Sequence, residues 1–379
     1  MNENIQAGFQ FMTGALRYAI ETGDEDKTLE FIRLFGDILA FYRKYWRIDV
    51  DSYYEAALQL FEKPEQHLLL AAMDAFSRNL AQDSVKLAGK AADLAPTVRY
   101  KMEHVFLLIR AGRIVQARQI ISGLVHQYPD NLSVANELFT CEVAERFWHR
   151  DYYDLLAEVH ERYTPGVYLE IGVATGKSLA LTRRSTRALG IDPASAATEL
   201  LVYHSPESDP QLYKMTSDDF FASLDLKTEM GRDHFDVAFI DGLHHFDQVL
   251  RDFINMEQFA GPDSIILIHD SLPVDPRVAT RERNTVFWTG DVWKIIPCLR
   301  AVRPDLEIIT LPLPPAGLAL VRRLNPGSRL LSRQYINVVD QFDTLELPDS
   351  WEKRCNLLAV EMEESRFTIA DYVPKGGWS

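Results

Sequence analysis

Cysteine is scarce in this chain: there are three among 379 residues, at Cys141, Cys298 and Cys355, with no CxxC spacing. That argues against a disulfide framework and a thiolate zinc site, and it fits a reducing compartment, so a cytoplasmic location is expected. The start, Met1-Asn2-Glu3-Asn4, lacks the basic and apolar regions of a secretory signal. No apolar run approaches membrane-spanning length. Long Lys/Arg runs are missing too, and at a formal net charge of -15 nucleic acid is not an expected partner. Two glycine signatures are absent as well. Gly172-Val173-Ala174-Thr175-Gly176-Lys177-Ser178 falls short of the GxxxxGK[ST] spacing of a phosphate loop, which excludes an ATPase of that kind. A nicotinamide-dependent dehydrogenase is disfavoured by the lack of a close-set GxGxxG.

What remains is an ordinary globular composition, 47% hydrophobic and 25% charged, long enough for two domains. Residues 1–160 show almost no strand signal. Apolar residues recur at helical spacing (Leu29, Ile32, Phe35, Leu39), and a weak repeat relates 87–96 to 117–129, each ending in proline near one tetratricopeptide period. A tetratricopeptide-like helical domain is therefore expected, serving either as a partner-binding or dimerisation surface or as a cap on the next domain. The aromatic run Phe41, Tyr42, Tyr45, Trp46 reads as a core stripe.

Between 161 and 325 the pattern alternates, with strands expected at 167–171, 188–192, 212–215, 235–241, 263–269, 306–311 and 317–322. Helices are expected near 177–187, 194–202, 217–224, 246–259 and 291–300. This is a Rossmann-like doubly wound, mostly parallel α/β sheet, in which ligands bind at the carboxyl ends of the strands. Glu170, Asp192, Asp241, His269 and Asp270 all fall at such ends. Glycine turns after the first strand and an acid after the second point to an adenosine-containing ligand. Each residue also has a plain structural reading: Asp192 as a helix cap, Asp241 as a turn former, His244 or His245 as a cap or a solvated side chain.

Glu170-x-Gly172-x-x-x-Gly176, Asp192, Ile240-Asp241-Gly242-Leu243-His244 and His269-Asp270 resemble a class I S-adenosylmethionine-dependent methyltransferase, more narrowly the metal-dependent sugar O-methyltransferases that act on macrolides. The resemblance covers 163–324. It implies that Glu170, Gly172 and Gly176 hold the methionine end of S-adenosyl-L-methionine, Asp192 the ribose and, more loosely, Asp218 the adenine. It implies Asp241 and Asp270 as ligands of Mg²⁺ or Mn²⁺, with His269 a third ligand or a brace. It implies His244 as general base, in doubt only against its neighbour His245. The acceptor it implies is the hydroxyl of a sugar or glycosylated small molecule, and a catechol-like ring is the nearest enzymatic rival. The rival of a different class is a non-catalytic scaffold that recruits a protein through the helical region. Residues 272–290 read as a lid, with Trp288, Asp291 and Trp293 as candidates to contact the acceptor, the alternative being that Trp288 and Trp293 pack the following helix. Residues 326–379 read as a helical extension that closes the cleft or bridges subunits.

Overall fold

The computed structural model describes residues 3–194 and 203–378. The chain divides into two compact units, one running to Glu145 and including residues 203–206, the other beginning at Arg146. The division thus precedes the expected boundary at 160. The Asp151–Asp154 capping box starts a new helix, Tyr152–Glu158, and Tyr152 lies against Phe239 of the sheet with ring centroids 5.8 Å apart. Among the described residues no helix is long and apolar enough to cross a membrane, and the three cysteines are free and buried.

The first unit is all helical: α1 (Glu3–Glu21), α2 (Glu25–Phe41), α3 (Asp51–Leu58), α4 (Pro64–Ser77), α5 (Ala81–Leu94), α6 (Val98–Arg110), α7 (Ile114–Gln127) and α8 (Leu132–Arg146). Ala117, Ile121 and Leu124, spaced for one helical face, meet Met102, Val105, Leu108, Val134 and Cys141 in a common core. Phe41 and Tyr42 are buried, in keeping with a core stripe. Arg33 ties three helices together, 2.8 Å from Glu103 and 3.0 Å from Glu137.

The second unit is built on a seven-stranded sheet ordered β3-β2-β1-β4-β5-β7-β6. Its strands are β1 (Val167–Ile171), β2 (Arg187–Ile191), β3 (Gln211–Tyr213), β4 (Phe235–Ile240), β5 (Ala260–His269), β6 (Glu307–Leu311) and β7 (Leu318–Arg322). Only β7 runs against its neighbours. β1 and β4 are buried along their whole length, as strands covered on both faces must be. Strand order reverses between β1 and β4, which opens a crevice at their carboxyl ends.

One expectation needs correction. No helix fills 177–187; a single 3₁₀ turn, Leu179–Leu181, stands there instead. All three of its residues are buried, and Thr182 ends the turn by switching to extended backbone (φ -64°, ψ 148°) and donating its hydroxyl to the Leu179 carbonyl at 2.8 Å. The helix expected over 194–202 lies almost wholly outside the described residues. Residues 326–379 are helical in part but belong to the second unit. Their backbone reaches β6 through Thr310 N to Ala359 O and Glu361 N to Thr310 O, each 2.9 Å.

Candidate active site

Ala238-Phe239-Ile240 of β4 pair in register with Ile266-Leu267-Ile268 of β5, so Asp241 and His269-Asp270 emerge side by side. His269 Nδ1 lies 3.2 Å from Asp241 Oδ1 and 3.4 Å from Asp270 Oδ1. His244 lies between the two acids, its Nε2 3.3 Å from Asp241 Oδ1 and its Nδ1 3.1 Å from Asp270 Oδ2. Both His244 (φ 62°) and Asp270 (φ 57°) adopt left-handed backbone, which costs on the order of 1–3 kcal/mol per residue and clusters at functional sites.

Burial opposes charge throughout this cluster, and the partners outweigh it. Beside His269 and His244, the carboxyl of Asp241 is held well below the usual range. Burial likewise works against His244 and His269, yet Asp241 and Asp270 hold both imidazoles above their ordinary value. The cluster therefore favours carboxylate and imidazolium together.

Of the two adjacent histidines, His244 is the one that meets the acids. His245 precedes helix α12 (Phe246–Glu257; α9 is Tyr152–Glu158, α10 Ser217–Ser223, α11 Leu226–Met230) and stands edge-on to Trp288, 6.2 Å between centroids. Trp288 stacks on His244 at 5.3 Å and 22°. Asp291 and Trp293 are both buried. Asp291 positions the histidine, its N–H donating to the His244 carbonyl at 3.2 Å and its Oδ1 accepting from Phe246 N at 2.7 Å. Gly290 is obligatory there, because a Cβ would sit 1.8 Å from the His244 oxygen.

The other side of the crevice is built differently. Gly172 (φ +87°) lets the loop after β1 pass the Asp241 backbone, where a Cβ would come within 1.9 Å of the Asp241 oxygen. Glu170 is fully buried, accepting from Tyr168 Oη and Ser178 Oγ at 2.7 Å each, and burial pushes it up to about 8 despite both donors. It braces the loop rather than lining the crevice. Asp192 Oδ2 accepts from Val173 N (2.9 Å) and Ala174 N (3.0 Å), and its Oδ1 from Ala194 N (2.8 Å). A carboxylate offers about four acceptor positions, so this half-exposed group retains room for one further donor. Gly176 turns the loop at φ +82°. Asp218, on α10, is half-exposed and receives Gln248 Nε2 at 3.2 Å.

Sequence reasoning missed two contacts. Tyr152 packs its ring 4.4 Å from His269, and no motif announced it, since it arrives from a helix ahead of the sheet. Arg354 is buried and donates to the Pro273 (2.8 Å) and Val274 (2.7 Å) carbonyls, fixing the root of the 272–290 segment. Its place in the tail gave no local signal.

The donor set fits a divalent cation. Asp241, His269 and Asp270 each offer an atom, all within 4.8 Å of one another. Among the described residues His269 Nε2 is buried with no polar partner, while His269 Nδ1 and Asp270 Oδ2 meet only the ion-pair contacts of the cluster itself, so the set keeps capacity for a ligand.

Comparison with known families now bears on this geometry. A sequence model described as a methyltransferase domain matches residues 169–271, from β1 through Asp270. The second unit thus contains a class I, S-adenosylmethionine-dependent methyltransferase domain. No curated protein matches the chain. Solved structures similar to it include the SAH-bound methyltransferase PaMTH1 of Podospora anserina (16% identity over 47% of this chain and 80% of that one, TM-score 0.36). The O-methyltransferase TomG of Streptomyces achromogenes is similar at 15%, 45%, 78% and 0.34 in the same order. An O-methyltransferase of Bacillus cereus is similar at 13%, 55%, 98% and 0.34. At these TM-scores the structural likeness adds no weight to the family match. In this unit the reversal of strand order at β1 and β4 opens a crevice beside the acid–histidine cluster.

Proposed function

We propose that this methyltransferase acts on oxygen, transferring the methyl group to a hydroxyl of a sugar or glycosylated small molecule with help from a divalent cation, Mg²⁺ or Mn²⁺. The observation that supports this most is His244 set between Asp241 and Asp270 at 3.3 and 3.1 Å, beside His269. Bound S-adenosylmethionine supplies an electrophilic methyl on sulfur. A cation held by Asp241, Asp270 and His269 supplies positive charge that lowers the pKa of an acceptor hydroxyl.

The chain's own residues do the rest. Displacement at a sulfonium methyl needs the acceptor oxygen in line, so positioning is the main task. His244 takes up the hydroxyl proton, and it can do so only in its neutral form. Stacking on Trp288 and the grip of Asp291 on its backbone restrict it to one orientation. Asp192 offers its remaining acceptor position to a ribose hydroxyl, and Asp218 stands where an adenine amine could donate. The loop Gly172–Gly176 contacts the methionine end through backbone, with Glu170 behind it.

The helical unit, in this reading, is a tetratricopeptide-like module for a partner or a second copy, and the protein works in the cytoplasm. The experiment is direct: incubate the full chain with methyl-labelled S-adenosylmethionine and a panel of glycosides and catechols. Label should appear on a glycoside hydroxyl, vanish with EDTA and return with Mg²⁺. Transfer that ignores EDTA would remove the cation, and label confined to catechols would remove the sugar.

A further inference from the structure

The helical unit carries a groove that methyl transfer does not use. A cavity of about 590 Å³ opens between α5, α6 and α7, within the size range of specific ligand sites. Its rim is basic: Lys86 and Lys90 from α5 and Arg113 at the start of α7, against one carboxylate, Asp93. In a chain with a formal net charge of -15, that local excess stands out.

Among the described residues these cations have no carboxylate within ion-pair distance, whereas the neighbouring arginines do. Arg33, Arg43, Arg78, Arg99 and Arg118 of the same unit each pair with an acid at 2.6–3.0 Å. Lys86 and Lys90 are also one helical turn apart, a spacing at which like charges destabilise a helix. An anion laid across the turn would relieve that repulsion. The floor is apolar, formed by Val85, Leu108 and Ile120, while Gln116 and Gln119 on α7 offer amides that both donate and accept. Gly89 leaves the wall open in front of His104, whose ring lies 3.4 Å from where a Cβ would stand.

We propose that this groove binds an acidic peptide segment, with its carboxylates on Lys86, Lys90 and Arg113, its main chain on Gln116 and Gln119, and one apolar side chain on the floor. Stacked helix pairs present extended surfaces of this kind, and a free inorganic anion would leave the floor and the amides unused. The inference is independent of the acceptor assigned to the methyltransferase domain.

The test is fluorescence anisotropy of the full chain with a labelled peptide of alternating Glu and Leu, with a Lys–Leu peptide and inorganic tripolyphosphate as counter-probes. Saturable binding of the Glu–Leu peptide is expected, weakening as ionic strength rises. Lys86→Glu with Lys90→Glu should reduce affinity about tenfold or more. Both side chains are exposed, so helicity and S-adenosylhomocysteine binding should not change. The milder Lys86→Gln/Lys90→Gln pair should fall between, and Gly89→Leu should also weaken binding by filling the groove. Equal binding of the Lys–Leu peptide, full affinity in the charge-reversed variant, tighter binding of tripolyphosphate, or no binding of the Glu–Leu peptide would each overturn the proposal.

Discussion

On the β1–β2 side of the crevice, Glu170 and Asp192 spend their oxygens on donors of their own chain: Ser178, Tyr168 and three backbone amides. On the β4–β5 side, Asp241 and Asp270 face two imidazoles, and His269 Nε2 is buried with no polar partner among the described residues. All four acids end strands of one sheet, yet the first pair is held chiefly by its own loop and the second by imidazoles that share the set proposed for a cation. A carboxylate at a strand tip is therefore not a ligand-binding group until its own chain's donors have been subtracted.

That contrast can be broken from the ligand side first. Asp241→Asn should lower methyl transfer by about a hundredfold or more while leaving S-adenosylhomocysteine binding by calorimetry close to wild type. His244→Asn should cost on the order of 10²–10⁴-fold in kcat and flatten the acid limb of the pH–rate profile, because the free imidazole must lose its proton before it can accept one. In the cation-free protein Asp270 and Asp241 raise the pKa of His244 against burial, so its titration followed by NMR should lie above the ordinary histidine range.

From the structural side the effects should be smaller and of another kind. Asp192→Ala should lower the melting temperature and weaken S-adenosylhomocysteine binding together, since it orphans three amide donors at roughly 1–3 kcal/mol for a buried one. Glu170→Gln should show itself chiefly in pH dependence. Burial raises Glu170 from 4.5 to about 8 in the folded state, so the fold holds a proton that the unfolded chain releases. Stability from this group therefore declines as pH climbs from about 4.5 to about 8 and is flat outside that window. Urea midpoints for Glu170→Gln should lose that slope; an unchanged slope would place its source elsewhere.

Much of this architecture was legible because buried parallel strands announce themselves. Phe235–Ile240 and Ser264–His269 are apolar runs ending in charge, and both proved to be adjacent strands with their tips together. The stretch after Gly176 misled for a matching reason: Leu179-Ala180-Leu181 is as apolar as a helix core but forms one buried turn, a difference set by tertiary packing. Asp291 lies in a charged loop and reads from sequence as an acceptor contact. Its use as a distant cap for Phe246 depends on where that loop returns, which no local pattern records. His244 could be separated from His245 only by backbone, because one residue in left-handed conformation turns toward the acids.

The most direct measurement is Mn²⁺ binding followed by electron paramagnetic resonance in wild type, Asp241→Asn and Asp270→Asn. The account predicts a saturable Mn²⁺ site in wild type that is lost in both variants while S-adenosylhomocysteine still binds. Equal Mn²⁺ binding in all three proteins, or none in wild type with the fold intact, would contradict it.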